Sequence, residues 1–331
     1  MDFVLSPAGA ISAVLAASLL WGSWAIALKH LDGYPVDAFF LDLYTSAVVL
    51  VAGVSVAVHG ASLPAEIAAK LAARPEIVLT PLVGGLLYVV GMRIWLYLIE
   101  RVGLVLASPI YSSVAIIVGT LLSARLGGLP LGASLLTILI GCFILIGAVV
   151  ACVWAGHLRD IGRGTLASGR LRAWQVIALS LVGALLGVSY PVALSVGLAG
   201  PRRPEGLPVL PYMLVLAAGA WAGAMVNAAL MLPRGGGWHR WRRAEPRYRV
   251  MGVGAAVAHY GGNIINAVAV PILSTAIAWP MGQIYTLWGY LWGIAYGEFR
   301  GATRFAYGAL FTGVGLFILG VLVLGYAFGG R

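Results

Sequence analysis

AHYGGNIINAVAV, Ala258 to Val270, places one histidine and two asparagines inside an apolar run long enough to cross a bilayer. His259, Asn263 and Asn266 follow i, i+4, i+7 spacing, which stacks them on one face of a helix. An unpartnered polar side chain in hydrocarbon is costly, so such residues face a cavity or a partner helix. The chain holds only three asparagines, and the third, Asn227, also falls inside an apolar run.

The residues around that stretch define the class. Of 331 residues, 61% are hydrophobic and 10% charged, against roughly 45–50% and about 25% in soluble domains. Apolar windows of about 20 residues predict ten transmembrane helices, over 9–28, 36–59, 77–99, 103–124, 131–155, 172–194, 209–231, 249–270, 273–296 and 303–328. The expected fold is an all-α polytopic membrane protein. The first run has no basic segment before it and is too long for a signal peptide, so it is expected to be a mature span. Cys142 and Cys152 are separated by about 15 Å along one helix, too far for a disulfide.

The formal net charge of +10 is unevenly placed. Loops after odd-numbered spans carry fourteen Lys and Arg; loops after even-numbered spans and the two tails carry six, from Lys70 to Arg331. The positive-inside rule then puts the odd-numbered loops in the cytoplasm and both termini outside, in a multi-pass protein of the cytoplasmic (inner) membrane. Topology thus accounts for the basic character, and no nucleic acid partner is expected. The loop from Trp238 to Arg249 can act as a solvated topogenic loop or touch anionic lipid.

Two halves can be superposed. Gly91 to Pro109 and Gly262 to Pro280 both span eighteen positions, and Gly119 to Gly127 and Gly289 to Gly297 both span eight. With five spans in each half, the second enters the membrane inverted, the 5+5 inverted-topology layout of many secondary transporters. The expected division is a first repeat over 1–155, a basic cytoplasmic linker over 156–171 and a second repeat over 172–331. From Leu131 to Ala155 in span 5 and from Phe305 to Phe328 in span 10 there is no Asp, Glu, Lys, Arg, His, Asn or Gln. They can face lipid, and Gly308, Gly313, Gly315 and Gly320 suit either packing within the chain or a homodimer seam.

The polar stripe has two readings: interhelical hydrogen bonds, at about 0.6 kcal/mol each, or a cavity lined for a polar substrate. Gln283, ten residues into span 9, reaches a similar depth from the other side. Trp24 and Tyr111 are candidates for stacking on a substrate. His259 can also titrate near neutrality and so respond to protons. Asp42 and Arg93 are the formal charges well inside spans, each about 9 Å from the cytoplasmic end. They are predicted to pair, as a structural bridge or as a gate or proton-coupling element. No GxxxxGK[ST], HExxH or GxSxG motif and no Cys/His cluster with metal spacing is present, so neither an enzyme nor a cofactor is expected.

WGSWAIALK in span 1, the GG and G-P punctuation of spans 3 and 4, GGN in span 8 and WGYLWGIAYGEFRG in span 9 resemble the drug/metabolite transporter superfamily. Within it they are most similar to the branch of bacterial glucose/ribose porters, rhamnose transporters and plant ureide permeases. The resemblance implies a 5+5 inverted fold, with spans 1–4 and 6–9 lining a central pathway and spans 5 and 10 outside it. The family's GN pair maps onto Gly262 and Asn263, and its GE pair onto Gly297 and Glu298. The first half departs from the pattern, since Met92 follows Gly91 and Gly128 follows Gly127.

The function expected is secondary transport of a small polar metabolite, a sugar first, by alternating access. His259, Asn263, Asn266, Gln283, Trp24 and Tyr111 are the expected substrate contacts, and Asp42 with Arg93 the gate or coupling pair, protons being the candidate coupling ion. Nucleobase, ureide or amino-acid transport by the same fold is the alternative. From a different class, a membrane-embedded enzyme or lipid-handling protein would use the same cavity.

Overall fold

The computed structural model describes residues 5–102, 104–164 and 171–329. The predicted linker at 156–171 therefore lies partly outside the described residues, as do both chain ends. The fourteen α-helices are α1 (Pro7–Trp24), α2 (Val36–His59), α3 (Leu63–Ala73), α4 (Pro75–Val102), α5 (Leu104–Gly127), α6 (Leu135–Arg163), α7 (Ala173–Gly187), α8 (Ser189–Gly197), α9 (Val209–Met231), α10 (Gly237–Arg242), α11 (Pro246–Leu273), α12 (Thr275–Gly282), α13 (Tyr285–Ala295) and α14 (Arg304–Gly329). Among the described residues, nine helical segments are long and apolar enough to cross a membrane. The chain is an all-α polytopic membrane protein.

Nine of the predicted spans correspond to single helices or, for the sixth, to α7 and α8 in close succession. The first is α1 prolonged by a 3-10 turn through His30. The ninth differs: it is broken into α12 and α13 at Gln283–Ile284, which removes it from the continuous spans. The cause is local, because Pro280 lacks an amide donor and Gly282 is a poor helix former. The backbone tightens there, with Gln283 N–H donating to the Pro280 carbonyl and Ile284 N–H to Met281. α6 runs on through the first part of the predicted linker to Arg163 and ends on Gly164 in the left-handed conformation (φ 64°).

Helix starts follow ordinary capping chemistry. The Ser6 hydroxyl accepts from Gly9 N–H at 3.1 Å, and Ser134 does the same for Thr137 at 3.3 Å; Pro7 and Pro246 occupy first turns, where no donor is needed. Close crossings use glycine. A Cβ on Gly219 of α9 would fall on the Leu82 carbonyl oxygen of α4, and one on Gly85 of α4 would fall on Leu216 of α9.

The packing partners are regular. α1 lies on α11 and α4 on α7 and α8; α4 lies on α9 and α11 on α2; α5 lies on α7, and α1 on α13. α2 pairs with α9, α5 with α12, and α6 with α14. Gly313 and Gly320 of α14 face α6, meeting Cys152 and Leu145, so these two glycines serve packing within the chain. Gly308 and Gly315 have open space beside them. Large apolar side chains such as Phe143, Trp174, Leu230, Phe311 and Leu322 are exposed around the bundle, as expected where the solvent is lipid.

Candidate functional site

α11 carries the stripe inward. His259, Asn263 and Asn266 are 7%, 2% and 1% exposed, so all three are buried on one helix face as their spacing predicts. What they meet is aromatic. His259 Nε2 lies 2.9 Å from the Tyr88 hydroxyl of α4, and that hydroxyl donates to Tyr44 of α2 at 3.3 Å. The imidazole is also edge-on to Trp24 and Tyr44, with centroids at 5.5 and 6.0 Å. Asn263 Oδ1 accepts from Trp21 Nε1 at 2.9 Å and from the Tyr190 hydroxyl at 3.3 Å.

These residues come from α1, α2, α4, α8 and α11, and the cluster holds no formal charge. Several of its polar atoms are not satisfied by protein. His259 Nδ1, Asn263 Nδ2 and Asn266 Oδ1 are buried without a hydrogen-bond partner. Buried polar groups are ordinarily paired, and each orphan costs about 1–3 kcal/mol. All three lie on one face of α11.

The other predicted contacts divide. Trp24 is part of the cluster. Gln283 is buried at the α12–α13 break, beside Gly282, whose Cα faces the Trp21 ring. Tyr111 is elsewhere: it stands 5.9 Å from Trp95 and packs toward Gly183 and Gly187 of α7. Tyr88, Tyr44, Tyr190 and Trp21 complete the cluster although the sequence did not single them out as contacts. At Ser189–Tyr190–Pro191 the proline supplies no amide donor, the helix breaks at Val188 between α7 and α8, and Tyr190 is buried.

Asp42 and Arg93 do not pair with each other. Arg93 makes a two-point bridge to Asp37, Nε to Oδ1 at 2.6 Å and Nη2 to Oδ2 at 3.2 Å. Asp42 is bound instead by Arg249 of α11, by Trp241 Nε1 at 2.9 Å and by the Tyr34 hydroxyl at 2.6 Å. Five residues of helix rotate Asp37 and Asp42 about 140° apart, so each looks at a different neighbour. Equal depth does not imply contact. Burial and the hydrogen bond to Asp42 push the Tyr34 phenol well above its ordinary pKa, which keeps it a donor.

Further charges join the two halves at this same end. Glu298 bridges Lys29, after α1, and Arg159 of α6, the latter at 2.9 Å. Arg247 reaches Asp32 at 3.3 Å, and Tyr34 stacks on Tyr248 at 4.6 Å. The opposite end is different. A cavity of about 670 Å³ opens there, lined by Leu126, Ser195, Arg203, Val270, Ser274 and Thr275 among others. Val270 is one helical turn from Asn266, and Thr275 one turn from Trp279. Trp279 packs against Tyr190 of the cluster, with ring centroids 5.9 Å apart.

No protein-family model matches the chain, and no curated protein matches it significantly in sequence. A protein of known crystal structure is similar over 96% of this chain and 96% of its own, at 16% identity and a TM-score of 0.62. At that identity the likeness speaks for the fold alone. It covers nearly the whole chain, so the overall helical architecture is shared with a protein of solved structure. The class defined so far is a multi-pass helical membrane protein with a buried, uncharged, aromatic-lined polar cluster.

Proposed function

We propose that this chain is a secondary transporter that moves a small, neutral, polar metabolite, a sugar being the first candidate, by alternating access. The observation that carries the reading is the buried stripe His259–Asn263–Asn266, with three polar atoms unpartnered amid Trp21, Trp24, Tyr88 and Tyr190. Amide, imidazole and phenol groups supply donors and acceptors without net charge, and aromatic planes suit the apolar faces of a sugar ring. A nucleobase or ureide meets the same groups.

Helix packing supports the inverted repeat. Replacing each predicted span by the one five places away converts the α1–α11 contact into the α7/α8–α4 contact, and α4–α9 into α11–α2. It converts α5–α7 into α13–α1, and leaves α2–α9, α5–α12 and α6–α14 as they are. On this reading α12 and α13 together are the ninth of ten spans, and the chain is a member of the drug/metabolite transporter superfamily, as its motifs suggest. With the basic end in the cytoplasm, the ion pairs close the inner side and the cavity opens outward. Asp42–Arg249 and the Lys29–Glu298–Arg159 group are then the inner gate, and Tyr190 with Trp279 the partition a substrate must pass. Rocking one half against the other would part those bonds and expose the site inward.

A thermal-shift screen of purified protein against sugars, nucleobases, ureides and amino acids, repeated with Asn266→Ala, tests this. The expected result is one ligand class that stabilises the parent and not the variant, followed by flux of that ligand into proteoliposomes. Stabilisation without flux would overturn transport and favour a membrane enzyme or receptor using the same cavity.

A further inference from the structure

A second pocket, of about 320 Å³, lies at the basic end where α2, α4 and the α9–α10 connection meet. Its charged lining is Arg93, Arg234 and Arg240 with Asp37 and Glu100. Asp37 is taken up by two of the Arg93 nitrogens. The third, Nη1, is buried without a hydrogen bond and is 3.8 Å from Glu100. Arg234 donates only to the Met231 sulfur, at 3.4 Å, and among the described residues neither Arg234 nor Arg240 is in an ion pair. The pocket therefore holds three guanidinium groups against two carboxylates, both of which are bridged to Arg93, leaving Arg234 and Arg240 as the uncompensated charges.

The surface beside the pocket is apolar. Val226 and Leu230, one turn apart on α9, are exposed, and Met231 beyond them forms part of the pocket wall. An anion seated here thus has hydrocarbon-facing side chains leading away from it along the helix. A free inorganic anion has no use for that strip, whereas a lipid has both a phosphate and chains.

We infer that this pocket seats the phosphate headgroup of an anionic phospholipid, with its acyl chains along Val226 and Leu230. Guanidinium groups match phosphate oxygens in a planar, two-point geometry, and basic pockets between helices at a membrane face recognise anionic headgroups. Arg93 Nη1 supplies the buried donor, and Arg234 and Arg240 the outer two. The inference stands apart from the transporter reading: lipid binding is expected whether or not the chain moves a solute.

The test is the thermal unfolding midpoint of the full chain in neutral detergent with added phosphatidylglycerol, phosphatidylcholine or inorganic phosphate. Phosphatidylglycerol is expected to raise the parent's midpoint by about 3 °C or more. In Arg234→Gln/Arg240→Gln that shift falls by at least half. In Arg242→Gln/Arg243→Gln, which loses the same charge outside the pocket, it is kept. The inference is overturned if phosphatidylglycerol gives no shift, if phosphatidylcholine does as well, or if phosphate alone reproduces the effect. Loss of the shift in the Arg242/Arg243 variant would also overturn it, as diffuse attraction to the basic loop. Should the Arg234/Arg240 pair unfold, the single Arg240→Gln variant gives the same reading.

Discussion

The Asp42 carboxylate of α2 is held by the Arg249 guanidinium of α11, with Trp241 and Tyr34 donating to the same group. Asp42 is buried while Arg249 is 36% exposed, so the contact sits at the margin between protein and water. Breaking a buried pair costs about 3–5 kcal/mol, and an exposed pair is worth under about 1. This one belongs between them, nearer the lower figure.

Asp42→Asn is therefore expected to favour opening at the basic end by about 1–2 kcal/mol, roughly a tenfold shift in population. A cysteine introduced as Leu31→Cys, in the shelter of this end, reports it through its alkylation rate. Cys142 and Cys152 are buried and give a quiet background. An unchanged rate would mean that the pair is not part of a gate.

Glu298→Gln weakens a separate attachment, the one to Lys29 and Arg159. If both contacts resist one opening motion, the double variant with Asp42→Asn should raise the same alkylation rate by about the product of the single effects. A double variant no faster than either single one would show that the two are not parts of a common closure.

Asn263 and Asn266 separate adhesion from binding. Asn263→Ala removes the acceptor of Trp21 and Tyr190 and is expected to lower stability by about 1–2 kcal/mol. Asn266 Oδ1 is buried without a partner and its side chain approaches only the Tyr190 hydroxyl, so Asn266→Ala should lower the unfolding midpoint less than Asn263→Ala while abolishing ligand stabilisation. Equal destabilisation by both would assign the whole stripe to helix packing.

Gly219→Ala puts a methyl group onto the Leu82 carbonyl, whereas Gly315→Ala meets open space. The first is expected to cost about 1–3 kcal/mol through forced separation of α4 and α9, seen as a lower unfolding midpoint. The second should leave the midpoint unchanged or slightly raised, because alanine is the better helix former.

Much of the architecture is legible in the chain because it follows from local properties. Apolar runs locate helices, since an unsatisfied backbone cannot cross a bilayer. The 3.6-residue period puts His259, Asn263 and Asn266 on one face, and all three are buried. Even the α12–α13 break has its cause in Pro280 and Gly282, although an apolar window averages across them.

Partner choice is another matter. Depth along a helix is one coordinate; contact also needs the rotation of each helix and the identity of its neighbour. Asp42 and Arg93 share a depth but face different helices, so each found another partner. Tyr88 and His259 are 171 positions apart, and Trp21 and Asn263 are 242 apart. No pattern within one span predicts such meetings. They arise only when α1, α4, α8 and α11 pack together, and that packing turns a row of polar residues on one helix into an enclosed site.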